Sequence, residues 1–202
     1  MWYFIKQSIF LVGLMFFMMT TCLLILRLDV PWGQLILSLL NLALYLTAIF
    51  LIFYKEGQTA WKLRKSNDFD RMTIIKTGKN IKINSVPEYK PWKGFIFGII
   101  ATAPLMIMLI VHAFVGGNTV GSITGVIHYV FYLPYYALRC CFNPLYASET
   151  CPMPFGDYFW LLYSVVLMSC VTALGYNLGA RKLQRAQDKI EDRKEEIERG
   201  LL

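Results

Sequence analysis

Residues 55 to 93 read KEGQTAWKLRKSNDFDRMTIIKTGKNIKINSVPEYKPWK, a segment holding ten Lys and Arg against four acids and set between two long uncharged runs. Hydrocarbon cannot hold such a segment, whereas the negative surface of a cytoplasmic leaflet favours it. To either side the apolar residues come in blocks instead of at amphipathic intervals. Residues 8 to 26, 33 to 54, 94 to 115 and 158 to 176 contain no Asp, Glu, Lys or Arg. A helical block of about 20 residues, rising about 1.5 Å each, crosses a hydrocarbon layer of roughly 30 Å. The sequence therefore predicts an all-α, four-transmembrane-helix membrane protein. Residues 1–54 form a first hairpin, 55–93 a basic cytoplasmic loop, 94–176 a second hairpin and 177–202 a charged cytoplasmic helical tail.

Orientation follows from where the cations lie. With the 55–93 segment cytoplasmic, four spans place both termini on the same side, and eighteen of the twenty Lys and Arg then face inward; Arg27 and Arg139 are the exceptions. That distribution satisfies the positive-inside rule and predicts a multi-pass protein of the cell membrane. It also accounts for the net charge of +7 without nucleic acid, because basic flanks are what membrane orientation demands. The first block is too long for the core of a signal peptide and is read as a retained anchor. Thr21 before Cys22 does not fit a lipoprotein cleavage box.

Within the polar segment, residues 59 to 65 extend the second span, with Trp61 and Leu63 among Lys62, Arg64 and Lys65. That mixture suits anionic headgroups, as do Arg181, Lys182 and Arg185 after the fourth span. Residues 72 to 76 and 81 to 85 are β-prone runs around Thr77, Gly78, Lys79 and Asn80, which predicts a β-hairpin. Thr77, Gly78 and Lys79 lack the upstream Gly and following hydroxyl of a phosphate loop.

Among the spans, Gly94, Gly98 and Thr102 form a small-residue face for close helix packing, as do Gly175 and Gly179. Asn41 and His112 are the candidate polar groups within the membrane. Asn41 is expected to hydrogen-bond a neighbouring helix, and His112 to sit neutral near the outer interface. Pro104 predicts a kink. Residues 116–157 form an external segment rich in Tyr and Phe, where 127–138 is read as an interfacial or re-entrant helix, since a fifth crossing would carry the seven tail cations outside. Cys140, Cys141 and Cys151 lie there. One of the first two is placed to bond Cys151, and their spacing is not that of paired zinc ligands.

Three short motifs resemble those of small clostridial-type integral membrane proteins of unknown function: Tyr54, Lys55, Glu56, Gly57; Tyr89, Lys90, Pro91, Trp92, Lys93, Gly94, Phe95; and Gly175, Tyr176, Asn177, Leu178, Gly179. The resemblance implies a multi-pass topology and no activity. Tyr54 with Gly57 and Tyr176 with Gly179 also suggest that the chain is two hairpins of like orientation. The tail, basic near the membrane and acidic beyond, is positioned to dock onto the basic loop.

No paired carboxylates, nucleophile with a base, cofactor motif or metal-ligand spacing is visible, so an enzyme is not expected. The functional reading is an accessory or scaffold subunit of a membrane complex, with anionic lipid and other membrane subunits, or further copies of itself, as partners. The alternative is a small oligomeric transporter or channel component.

Overall fold

The computed structural model describes residues 2–25, 31–78, 83, 85–115 and 156–199, and these form four helices: α1 (Trp2–Ile25), α2 (Pro31–Thr77), α3 (Lys93–Val115) and α4 (Gly156–Glu198). The chain is all-helical, with no strand among the described residues. The external segment, with Cys140, Cys141, Cys151 and the interfacial helix expected at 127–138, lies outside them. Among the described residues one helix, α2, is long and apolar enough to cross a membrane, through Ile36–Thr77. The apolar runs Ile9–Cys22 and Lys93–Ala103 are shorter.

The β-hairpin expected around Gly78 does not form. Residues 72 to 76 belong to α2, which continues without a break from the second apolar block to Thr77. No Gly or Pro that could end a helix follows Gly57 until Gly78, and the helix already formed propagates through Thr73, Ile74 and Ile75 despite their β-branching. Thr73 and Thr77 turn their hydroxyls back to the carbonyls of Phe69 and Thr73, at 3.0 and 2.6 Å. Gly78, at φ 65°, then closes the helix, donating its N–H to the Ile74 carbonyl at 2.8 Å. At 47 residues, α2 is about 70 Å long. Roughly half of it lies beyond the apolar block.

Hydrogen bonds and close approaches fix the helix directions. Asn41 on α2 accepts from the Thr21 hydroxyl at 2.9 Å and donates to the Met18 carbonyl and Cys22 Sγ, both at 3.1 Å, so α1 meets α2 at this point. A side-chain amide so placed ties the two helices by about 0.6 to 2 kcal/mol. Gly94 and Gly98 of α3 lie against Ala173 and Ser169 of α4, so α3 and α4 are antiparallel. Phe50 meets Gly175, and Lys65 meets Glu191, so α2 and α4 run parallel. The core between them holds Tyr45, Ile49, Phe53, Phe97, Met168 and Tyr176. α3 passes through Pro104 as continuous helix.

The tightest approach joins α2 to α4. A Cβ on Gly57 would fall inside the Tyr176 carbonyl oxygen, and one on Gly179 would fall inside the Tyr54 carbonyl oxygen. The two Tyr-x-x-Gly motifs thus face each other reciprocally. Gly175 is nearly as close, 2.6 Å from the Phe50 carbonyl oxygen to its would-be Cβ. Thr102 and Thr172 contribute by size alone, since each hydroxyl bonds carbonyls of its own helix. Gly179→Val is expected to separate α2 from α4 and cost about 1 to 3 kcal/mol or more. Gly13→Ala, with nothing within 4 Å, should be silent or slightly stabilising. Unfolding of the two variants in mixed micelles compares them directly.

Candidate functional site

At the charged end of the bundle, where α2 and α4 leave their apolar blocks and α3 begins, a polar junction is built from residues distant in sequence. Residues 85–92 lead into α3 and are pinned to α2 by the Tyr89 N–H, which donates to the Ala60 carbonyl at 3.1 Å. Pro91 and Trp92 make the turn that starts α3, with Phe95 and Ile96 donating back to the Trp92 carbonyl. Tyr89 is thereby laid over Tyr176, ring centroids 5.4 Å apart and planes 23° apart, while Trp61 meets it edge-on at 5.6 Å. Phe97 continues the cluster, touching Tyr176 at 5.9 Å and Phe53 at 5.1 Å. Offset and edge-to-face pairs of this kind add about 0.5 to 1.5 kcal/mol beyond their buried area.

Several polar groups at the rim of this aromatic cluster are paired. The Tyr89 hydroxyl donates to Asn177 Oδ1 at 2.6 Å, and Asn177 Nδ2 donates to the carbonyls of Ala173 and Pro91 at 2.9 and 3.3 Å. Trp61 Nε1 donates to Gln187 Oε1 at 2.8 Å. Burial pushes the Tyr89 phenol up, with Arg181 and Arg64 pulling it the other way. Lys93, only 3% exposed, sends its ammonium into the carbonyls of Val86 and Glu88 and so staples the turn from inside. Burial lowers the Lys93 ammonium, helped by Lys90 and opposed by Glu88.

Glu88 is the central acceptor. Its Oε1 receives Asn67 Nδ2 and an Arg71 guanidinium nitrogen, both at 2.6 Å, while Arg71 also holds Asp68 at 2.7 Å. Burial alone would raise the Glu88 carboxyl. The Arg71 and Asn67 hydrogen bonds, with the charges of Arg71 and Lys93, outweigh it and hold the group below the ordinary carboxylate range.

The six cations expected at lipid headgroups divide into two sets. On α2, Arg64 lies over the Trp61 ring at 5.5 Å and Lys65 pairs with Glu191 at 3.7 Å, while Lys62 is exposed. Trp61 itself is buried, because the α4 stalk passes beside α2 and supplies Gln187 as its partner. It does not rest on headgroups. On α4, Arg181, Lys182 and Arg185 line an open groove of about 490 Å³ together with Tyr54, Leu178, Ala186 and Lys189. Lys182 lies 5.8 Å from the centre of the Tyr54 ring.

Asn41 sits at the α1–α2 contact, far along α2 from this junction. His112 lies on α3, its side chain outside the described residues. Among the described residues no three His, Cys, Asp or Glu side chains are grouped to hold a metal ion. Sequence reasoning missed Glu88, Asn67, Arg71 and Gln187, whose only signal was polarity in a segment already polar throughout. The three motifs quoted above do come together: Gly57 with Tyr176, Gly179 with Tyr54, Tyr89 with Asn177, and Gly94 with Tyr176. No protein-family model, curated protein or solved structure matches the chain, so the resemblance to clostridial-type membrane proteins rests on these motifs alone.

Glu88 gives the junction a pH dependence of determinate sign. A carboxyl held below its unfolded value contributes stability that is complete well above roughly pH 4.5 and is lost as pH falls through the lower folded-state value. Glu88→Gln should therefore lower the thermal midpoint at pH 7, with the gap to the unsubstituted protein closing on acidification below about pH 4. A gap independent of pH would remove the ionised carboxylate from this account.

Proposed function

We propose that the protein is a multi-pass membrane protein of four spans, with both termini and residues 55–93 cytoplasmic, serving as an accessory or scaffold subunit of a membrane complex. The observation that carries the subunit role is an apolar face on the charged half of α2. Beyond Tyr54, α2 extends about 35 Å as charged helix, and on it Phe69, Met72 and Ile75 are 71%, 62% and 83% exposed. Spaced three residues apart, they share one side of the helix among Asp70, Arg71 and Lys76. Apolar side chains grouped on a charged, water-facing helix favour a protein partner.

The membrane reading is supported by the opposite pattern nearer the other end of the bundle. Ile9, Phe10, Phe17 and Leu24 on α1, Leu40, Leu44 and Leu51 on α2, Ile107 and Phe114 on α3, and Val166 and Leu174 on α4 are all exposed. The most apolar window of α2 is only 33% buried, as suits a helix with lipid on most sides. α3 runs one way and α2 and α4 the other, which brings the described basic residues of 55–93 and those of the tail to one end. A transporter or channel reading gains less from these contacts. Asn41 and Thr21 are engaged between helices, and Thr102 and Thr172 are satisfied within their own. They line no polar path.

Purification from native membranes in mild detergent should yield a stoichiometric partner, and Phe69→Ser with Ile75→Ser should release it while leaving the helical content unchanged. A single Cys placed at Lys76 should react with an impermeant thiol reagent in inside-out vesicles and not in sealed cells. Reaction in sealed cells would reverse the orientation.

A further inference from the structure

The groove between the exit of α2 and the flank of α4 has two properties that a generally basic surface lacks. First, its cations have no acid partner among the described residues. Arg181, Lys182, Arg185 and Lys189 all project from α4 within about 12 Å of helix, and no carboxylate lines the groove with them. None of the four forms an ion pair among the described residues, whereas Lys65, Arg71 and Arg199 do. Tyr54, itself stacked on Phe50 at 6.0 Å, forms the opposite wall and faces Lys182.

Second, the groove continues an apolar track. On α4, Val166, Cys170, Leu174 and Leu178 are exposed at four-residue intervals, and the next step is Lys182. From Val166 to Leu178 the helix rises about 18 Å, slightly more than half of a hydrocarbon core of roughly 30 Å. The apolar track is therefore one leaflet deep and ends where the cations begin. The shape is that of an amphiphile, with chains along α4 and an anionic head between Tyr54 and the four cations.

We infer that this groove is a specific binding site for a phospholipid whose head bears a phosphomonoester, its acyl chain lying along the Val166 to Leu178 face. Four cations without an acid favour a doubly charged phosphate over a zwitterionic head. The proposal rests on the membrane-spanning reading above and sharpens its lipid partner from a charged surface to one site. It also separates the two basic sets, because on α2 Lys65 already has an acid partner in Glu191.

The test uses the full chain in nonionic detergent with dioctanoyl phosphatidic acid as probe, affinity being read by native mass spectrometry. Replacing two groove cations, Arg181→Gln with Arg185→Gln, is expected to weaken binding roughly 30-fold. Lys62→Gln with Lys76→Gln removes equal charge elsewhere and should leave affinity unchanged. Dioctanoyl phosphatidylcholine, with chains but no net charge, should not compete, and neither should glycerol 3-phosphate or inorganic phosphate, with charge but no chains. Equal losses in the two double variants overturn the site in favour of diffuse attraction, and free phosphate competing as well as the lipid overturns the acyl track. Alkaline extraction of membranes keeps the two readings apart. A chain that stays in the pellet yet shows no groove dependence loses only the site, whereas a chain that is extracted loses the spanning reading itself.

Discussion

The rest of the structure depends on the approach of two backbones, in which the Tyr54 and Tyr176 carbonyl oxygens each occupy the volume that a side chain on Gly179 or Gly57 would need. Backbones come this close only where small residues leave room for them. That closeness brings α4 alongside α2 in parallel and carries the pairing past the apolar blocks to Trp61 with Gln187 and Lys65 with Glu191. α3 then fits antiparallel against α4 through Gly94 and Gly98. α1 is attached differently, through the amide of Asn41, a single hydrogen-bonding group reaching three partners.

The charged end of the bundle inherits its geometry from that crossing. Because Tyr176 is fixed between Phe97 and Tyr89, the turn before α3 has an aromatic floor to rest on. Its remaining polar groups are then satisfied from three sides, by Asn177 of α4, by Asn67 and Arg71 of α2, and by Lys93 from beneath. A buried ammonium and a buried carboxylate a few residues apart are costly unless each is hydrogen-bonded. Here each is, and the result is a rigid corner that aims the α2 and α4 extensions in one direction.

Much of this was legible in the residues. Uncharged blocks separated by a basic segment announce helices, and four-residue spacing of Gly94, Gly98 and Thr102 marks a packing face, because both signals are local and periodic. Tyr54, Gly57, Tyr176 and Gly179 could be matched to each other as a repeat, but that the two copies meet face to face is a tertiary fact. Residues 72 to 76 were misleading for a related reason. Their β-branched composition speaks for a strand, yet a helix arriving with its hydrogen bonds already formed needs a stop signal, and none comes before Gly78. Glu88, Asn67 and Arg71 could not be singled out, since a polar residue in a polar segment says nothing about which partner it will find. Trp61 shows the same limit: aromatic and basic neighbours suggest a headgroup anchor until the α4 stalk covers it.

The glycine crossing also dictates an order of assembly. Gly57 and Gly179 are separated by most of the chain, so the seam on α2 stays open while α3 and the segment after it are synthesised. During that interval the earlier helices must do without their main contact, and Tyr89 without its Tyr176 and Asn177 partners. Closure awaits the ribosome passing residue 180, and it then completes the seam and the corner together. A chain stalled before that point would present an unmated Gly57 surface to its neighbours, open to whatever small-residue face it met first.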